Sequence, residues 1–421
     1  MRTRSGIALA LLALLRLAPG LAPGARAESW CALPLEVHEW GVFVIGADGR
    51  ATATPDLPSY FHRPGDHGAA SRPMAVRDLP ADSGVRTLPI VHFYAPRGGF
   101  GDTIPVGIEV GFAGADAAVW FPRVDRLRTL ADASTPEALL GRARVLADRA
   151  LRIVGTRPVQ AEPPADPTRQ LVWDRLELTR AAPPGTPPAA ADVPWVARAR
   201  ALDALWVSAP GESERFVFYE ATTREPAALV LSRGPTWSPT RRHLLVENRG
   251  RHPVHDVFLI HREVGREVGR EAGREAGRVY VVELATIPAG QTAGLVLDDH
   301  LVPPGELAAR TRDRLRDLLI DHASPEPPTQ YDMERDDCVM GRDPALPFER
   351  AAGHRLYRDE IDLLLEVWAA RFFEGQGTRV LYREDTAHLD EVMPLSIYTD
   401  MYHVVRLRRA SLALLDGVVL P

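Results

Sequence analysis

The sequence predicts a mainly β protein: two antiparallel β-sandwich units of Ig-like type, followed by a small α+β C-terminal region. Three observations carry this reading. From Val37 to about Leu297, short runs rich in β-branched and aromatic residues recur between turns rich in Pro and Gly. Apart from a candidate over Pro136 to Leu151, no amphipathic helix separates one run from the next, which disfavours a doubly wound α/β fold. Past Leu301 the apolar spacing changes from two to three or four.

The chain opens differently. Arg2 and Arg4 are followed by an apolar stretch, Ile7 to Leu17, broken only by Arg16, and Ala25-Arg26-Ala27 has the small-x-small form that signal peptidase needs. Residues 1–27 therefore read as a secretory signal peptide, making the mature protein periplasmic or secreted. The apolar stretch is too short for a bilayer core of about 30 Å, and no other segment offers the ~20 apolar residues of a membrane helix. Residues 1–27 hold four arginines and no acid, so the formal charge of −6 becomes −10 on their removal. That acidity disfavours nucleic acid as a partner. The chain contains no lysine, as a GC-rich coding sequence would produce.

Residues 28–195 form the first unit, with strands at Val37 to Ile45, Pro89 to Tyr94, Ile108 to Phe112, Ala118 to Phe121 and Leu171 to Leu178. The Pro/Ala-rich stretches Ala161 to Pro167 and Ala181 to Pro194 flank the last of these as loops or linkers. Residues 196–300 form the second, Ig-like unit, with strands at Phe216 to Tyr219, Ala228 to Leu231, His243 to Val246, Val254 to His261 and Arg278 to Ala285. Asn248-Arg249-Gly250 and Pro288-Ala289-Gly290 supply two of its turns. Between its last two strands a Glu-x-Gly-Arg tetrapeptide repeats, and a glycine at every fourth position costs a helix about 1 kcal/mol each. We read 262–278 as a repeat-expanded hairpin loop.

Residues 301–421 complete the chain. Leu307, Leu315, Leu318 and Leu319 predict a helix over Glu306 to Ile320, and Ile361, Leu364, Leu365, Trp368 and Phe372 predict another over Asp359 to Phe373. Strands follow at Arg379 to Tyr382, Met393 to Ile397 and Val404 to Leu407.

Several short motifs occur in a fixed order: His38-Glu39-Trp40-Gly41, Pro89-Ile90-Val91-His92-Phe93-Tyr94, Val119-Trp120-Phe121-Pro122, Arg215-Phe216-Val217-Phe218-Tyr219 and Gly377-Thr378-Arg379-Val380-Leu381-Tyr382, with Met393-Pro394-Leu395 last. As a set they resemble a family of exported bacterial proteins of planctomycete and myxobacterial type that has no assigned activity. The resemblance spans nearly the whole mature chain and implies an exported location. His92 stands where an aromatic residue is expected.

The sequence lacks a G-x-S-x-G elbow, an H-E-x-x-H pair, a P-loop and a G-x-G-x-x-G turn before a helix. What remains is a set of titratable groups on apolar strands. Period-2 alternation sends His38 and Glu39 to opposite faces of their strand. A buried Glu39 needs a cation, and Arg379 is the expected partner, the pair holding two domains together; His38 is expected to bond a backbone carbonyl in the core. The catalytic candidates are His38, Glu39, Glu220 and Arg379. His38, His92 and Glu220 would form the ligand set of a divalent metal if the sheets bring them together. The histidines and aspartate of the loop at His62, Asp66 and His67, the acidic run Asp332 to Asp337, and Asp298-Asp299-His300 read as solvated loops or turns. The eight tryptophans are scattered, which favours core packing over a carbohydrate platform. Cys31 and Cys338, the only cysteines, are an expected disulfide in an oxidising compartment. The leading expectation is an exported binding or envelope-structural module whose partner is an envelope protein or polysaccharide; the alternative is a metal-dependent hydrolase with a His/Glu site on the N-terminal sheets.

Overall fold

The computed structural model describes residues 31–46, 57–63, 84–96, 103–113, 115–128, 170–183, 193–223, 225–263, 277–303, 305–327, 339–340, 353–399 and 403–420. The expected signal peptide, the candidate helix at 136–151, residues 264–276 of the repeat loop, Asp66, His67, the acidic run and Cys338 lie outside them.

The first part of the chain runs β1 (Cys31–Gly46), β2 (Gly84–Tyr94), β3 (Thr103–Gly111), β4 (Ala115–Phe121), β5 (Arg126–Arg128), β6 (Gln170–Thr179), α1 (Pro194–Ala201), β7 (Trp206–Ala209), β8 (Glu212–Glu214) and β9 (Val217–Thr223). There follow β10 (Leu229–Arg233), β11 (His243–Asn248), β12 (Val254–Arg262), β13 (Val279–Ile287), β14 (Thr292–Val296), a 3₁₀ turn at Leu297–His300 and β15 (Leu301–Val302). The remainder comprises α2 (Leu307–Leu319), β16 (Val339–Met340), α3 (Arg358–Val367), a π-turn at Ala370–Glu374, β17 (Gly377–Glu384), α4 (Thr386–Val392), β18 (Leu395–Thr399) and β19 (His403–Val418).

The protein is mainly β, with several antiparallel sheets. The largest sheet has the order β15-β13-β12-β17-β19-β1-β2-β9-β4, with β16 on the start of β1; a second runs β18-β3-β6-β7-β8 with β5 beside β6, and a third runs β10-β11-β14. Segments 28–195, 196–300 and 301–421 all contribute strands to the largest sheet. Hydrophobic period assigns strands but says nothing about which distant strand satisfies a free edge, and here β1 is bounded by β2 and, in parallel, by β19. A strand paired on both edges and covered on both faces reads as a nearly continuous apolar run, as Val42-Phe43-Val44-Ile45 does.

Three cores follow from the alternation of side chains along these strands. On one face of the large sheet, Trp40, Val42, Val44, Phe218, Phe258 and Leu412 pack beneath the helices, against Trp195 of α1, Leu315 and Leu319 of α2 and Ile361, Leu364 and Trp368 at α3. The π-turn continues this layer, burying Phe372 and Phe373. On the other face, Leu35, Val37, Phe93, Val217 and Leu407 meet Val106, Ile108, Trp173 and Leu176 of the β3–β6 sheet. Farther along that face, Phe43, Val257, Leu259, Val380 and Ala413 meet Leu229, Leu244 and Val246 of the three-stranded sheet. Burial at roughly 25 cal/mol per Å² of apolar surface makes these layers the main favourable term in folding.

The two turns read from the second unit are fastened together by one side chain. Asn248, fully buried, donates from Nδ2 to the carbonyls of His252 and Ile287, both at 2.9 Å, and accepts from the Gly250 amide at 2.9 Å. Gly290, at φ +69°, closes the second turn in the left-handed region where a side chain would be strained. The hairpin of β12 and β13 forms in register from Val254–Ile287 to Arg262–Val279, at the base of the repeat-expanded segment.

Candidate functional site

His38 and His92 stand directly opposite each other on β1 and β2, both with no exposed surface. The first turn of α3 lowers Glu360 onto them. Its Oε2 lies 2.6 Å from His38 Nδ1 and accepts from the Tyr357 amide at 3.1 Å, while Oε1 lies 3.5 Å from His92 Nδ1. A carboxylate is well placed there, because the free amides and dipole of a helix N-terminus favour negative charge. Burial on its own would raise the Glu360 pKa, but the charge and hydrogen bond of His38 and the approach of His92 outweigh it and hold the carboxyl well below the usual range. The Tyr94 phenol, also buried, is pushed up by its burial and by Glu360.

Aromatic rings enclose the cluster. The His38 ring lies 4.4 Å from Tyr357 and 5.3 Å from Tyr94, and His92 stacks 6.1 Å from Trp40. His38 Nε2, His92 Nε2, Glu360 Oε1 and Trp40 Nε1 are buried without a hydrogen-bond partner. His38 is thus a core histidine as expected, but its partner is a carboxylate from a helix rather than a backbone carbonyl. Glu360 carries no local signal: it sits in Arg358-Asp359-Glu360, which reads as an acidic helix start.

Glu220 does not join the two imidazoles. Val91 pairs with Val217, so His92 faces position 216, four residues from Glu220 or about 13 Å along a strand. Glu220 instead faces Val119 on β4. Among the described residues no group of three or more His, Cys, Asp or Glu has the geometry to hold a metal ion.

Glu39, on the opposite face, pairs with Arg409 and not with Arg379. Parallel register places Glu39 beside Arg409, whereas β17, which carries Arg379, is separated from β1 by the whole of β19. Arg409 Nε donates to Glu39 Oε2, Nη1 to Asp390 Oδ1 at 2.8 Å and Nη2 to the Met393 carbonyl at 2.7 Å; Tyr219 donates to Glu39 Oε1. Burial opposes the charged form of Arg409, but the Glu39 carboxylate outweighs it and raises the pKa. Arg379 pairs with Asp416 at 2.9 Å and with the Gly375 carbonyl at 2.7 Å. The sequence signal for Arg409 is a cation at the end of Arg406-Leu407-Arg408-Arg409, just before an apolar run.

An open cleft lies elsewhere, between the start of β10, the β11–β12 turn and α4. Its volume is about 560 Å³. Phe43, Ala227, Ala228, Val230, Val254 and Tyr382 give it an apolar floor; Arg249, Arg251 and His252 come from the β11–β12 turn, and Glu384, Asp385, His388 and Glu391 from the end of β17 and from α4. Its polar groups are imidazole–carboxylate pairs. His388 Nε2 lies 2.6 Å from Glu225 and 3.5 Å from Glu384, His252 Nε2 lies 3.1 Å from Glu391, and just behind them His255 Nε2 lies 2.9 Å from Asp385. Burial on its own would lower the His388 pKa, but its hydrogen bonds to Glu225 and Glu384 push it up to about 9. Arg249 pairs with Glu247 at 2.9 Å on the exposed rim. Sequence reading missed this site because its residues come from four separate stretches of chain. The spacing Glu384-x-x-x-His388 was its one local sign.

No family model matches the chain, and no curated protein matches it. Among solved structures it is similar to a yeast delta-COP-I mu-homology domain complexed with a Dsl1 WxWxV peptide, with 8% identity, a TM-score of 0.23, and coverage of 91% of this chain and 95% of that one. Similarity at that level carries no statement about fold or function. None of the described helices is long and apolar enough to cross a membrane.

Proposed function

We propose that the protein is an exported, non-catalytic binding module of the bacterial envelope, and that its ligand site is the cleft between the β11–β12 turn and α4. One contrast carries this reading. The His38–His92–Glu360 cluster is sealed in the core, whereas the cleft is open, of a volume suited to a small molecule or a segment of a polymer, and sets charged groups of both signs above an apolar floor. Export is supported by the signal-like residues 1–27 and by the resemblance of the motif set to that of exported bacterial proteins. An Ig-like character for residues 196–300 is supported by the packing of β10, β11 and β14 over β12 and β13.

The test is binding of the purified mature chain to soluble peptidoglycan fragments and envelope polysaccharides. Saturable binding lost in Arg251→Glu but kept in His38→Asn is expected. A hydrolase activity that disappears in a still-folded His38→Asn protein would sink the proposal.

The second reading, a metal-dependent hydrolase, has weaker support: two imidazoles and a carboxylate converge, with Glu360 in place of Glu220, but as a closed hydrogen-bonded cluster without the geometry of a metal site. Elemental analysis decides it, since an occupied site gives close to one zinc, manganese or iron per chain.

A further inference from the structure

We infer that β19 is the strand that closes the fold, and that the large sheet remains in two unjoined halves until this strand is available. In the sheet order, β19 is the link between β15-β13-β12-β17 on one side and β1-β2-β9-β4 on the other. Without it, β1 presents an unpaired edge from Leu33 to Gly46 and β17, still paired with β12 on its other edge, presents one from Thr378 to Arg383.

The side chains of β19 serve every core. Ala410, Leu412 and Leu414 enter the helix-covered core, Val405 and Leu407 the core beneath the β3–β6 sheet, and Ala413 and Leu415 the core beneath the three-stranded sheet. Arg409 supplies the cation for Glu39, which is otherwise a buried carboxylate with its charge uncompensated, a strongly destabilised arrangement. Joining β1 to β19 also closes the longest loop in the chain, and such closure is entropically costly and slow.

The consequence rests on the export reading above. A chain whose β1 waits for β19 cannot lock before β19 has been made, and so stays threadable during translocation.

Pulse-labelling hydrogen exchange during refolding of the full mature chain tests the inference. Those amides of β1 and β17 that bond across to β19 are expected to gain protection together with those of β19, within about threefold in rate, as one cooperative unit. Protection of those β1 amides ahead of β19 by more than that would overturn the inference, because that edge of β1 would then be held without it. Refolding of purified protein reads closure whether or not cells export the chain. Cell fractionation that finds the full-length protein in the cytoplasm overturns the export reading alone.

Discussion

Glu39 and Arg409, 370 residues apart in sequence, form a buried ion pair because β1 and β19 run parallel and in register through the centre of the largest sheet. Tyr219 from β9 and Asp390 from α4 complete the arrangement, so one charged cluster ties together four elements.

Replacing Arg409 with Met leaves Glu39 charged and unpaired in the core, and we expect a loss of about 3 to 5 kcal/mol in stability by urea unfolding. Adding Glu39→Gln to that variant should recover part of the loss, because the remaining cost is then of packing and hydrogen bonds rather than of a bare charge. A double variant no more stable than Arg409→Met would show that the pair's charge is irrelevant.

Glu360 sets the acid limb of the stability profile. Its folded-state pKa is held below the unfolded value of 4.5, so its contribution is present above that pH and is lost as pH falls below it. The Glu360→Gln protein should be less stable at neutral pH yet lose less on acidification from pH 5 to pH 2. Parallel profiles for the two proteins would contradict this assignment.

His388 acts in the opposite direction. With its pKa raised from 6.5 to about 9, it stabilises fully below the lower value, and that contribution disappears as pH rises through the upper one. The shift corresponds to about 3 kcal/mol at most. His388→Asn should therefore flatten the decline in stability between pH 7 and pH 10, and hydrogen exchange should show the effect concentrated in α4 and the adjoining turn.

Gly375 is a packing constraint rather than a conformational one. A Cβ at this position would collide with Arg379 Nη2, so Gly375→Ala must displace the guanidinium from Asp416 and from the Gly375 carbonyl. We expect a loss of about 1 kcal/mol, the low end of an overpacking cost, because the obstacle is the end of a flexible side chain at a half-buried site. A double-mutant cycle with Arg379→Ala should be strongly non-additive, since Arg379→Ala removes the obstacle.

What was legible in the sequence is what depends on short range. The strands at Val254 to His261 and Arg278 to Ala285, the helix at Asp359 and the turn at Asn248-Arg249-Gly250 are written in local period and turn chemistry, and the structure forms each of them. The opposite orientation of His38 and Glu39 followed from strand alternation alone. The extent of β19 was less legible: only Val404 to Leu407 was read, because Arg406, Arg408 and Arg409 disguise a strand whose cations face carboxylates of other elements.

By itself, then, the sequence determined the mainly β character, the positions of most elements and the presence of titratable groups within apolar strands. Tertiary structure alone decided how those groups pair: Glu39 with Arg409 rather than Arg379, His38 and His92 with Glu360 rather than Glu220, and His388 with Glu225 at the rim of a cleft. The physical reason is that period and propensity act between neighbours in the chain. A buried charge is satisfied by whichever partner the sheet order brings within hydrogen-bond distance, and that order is fixed by the packing of all three cores at once.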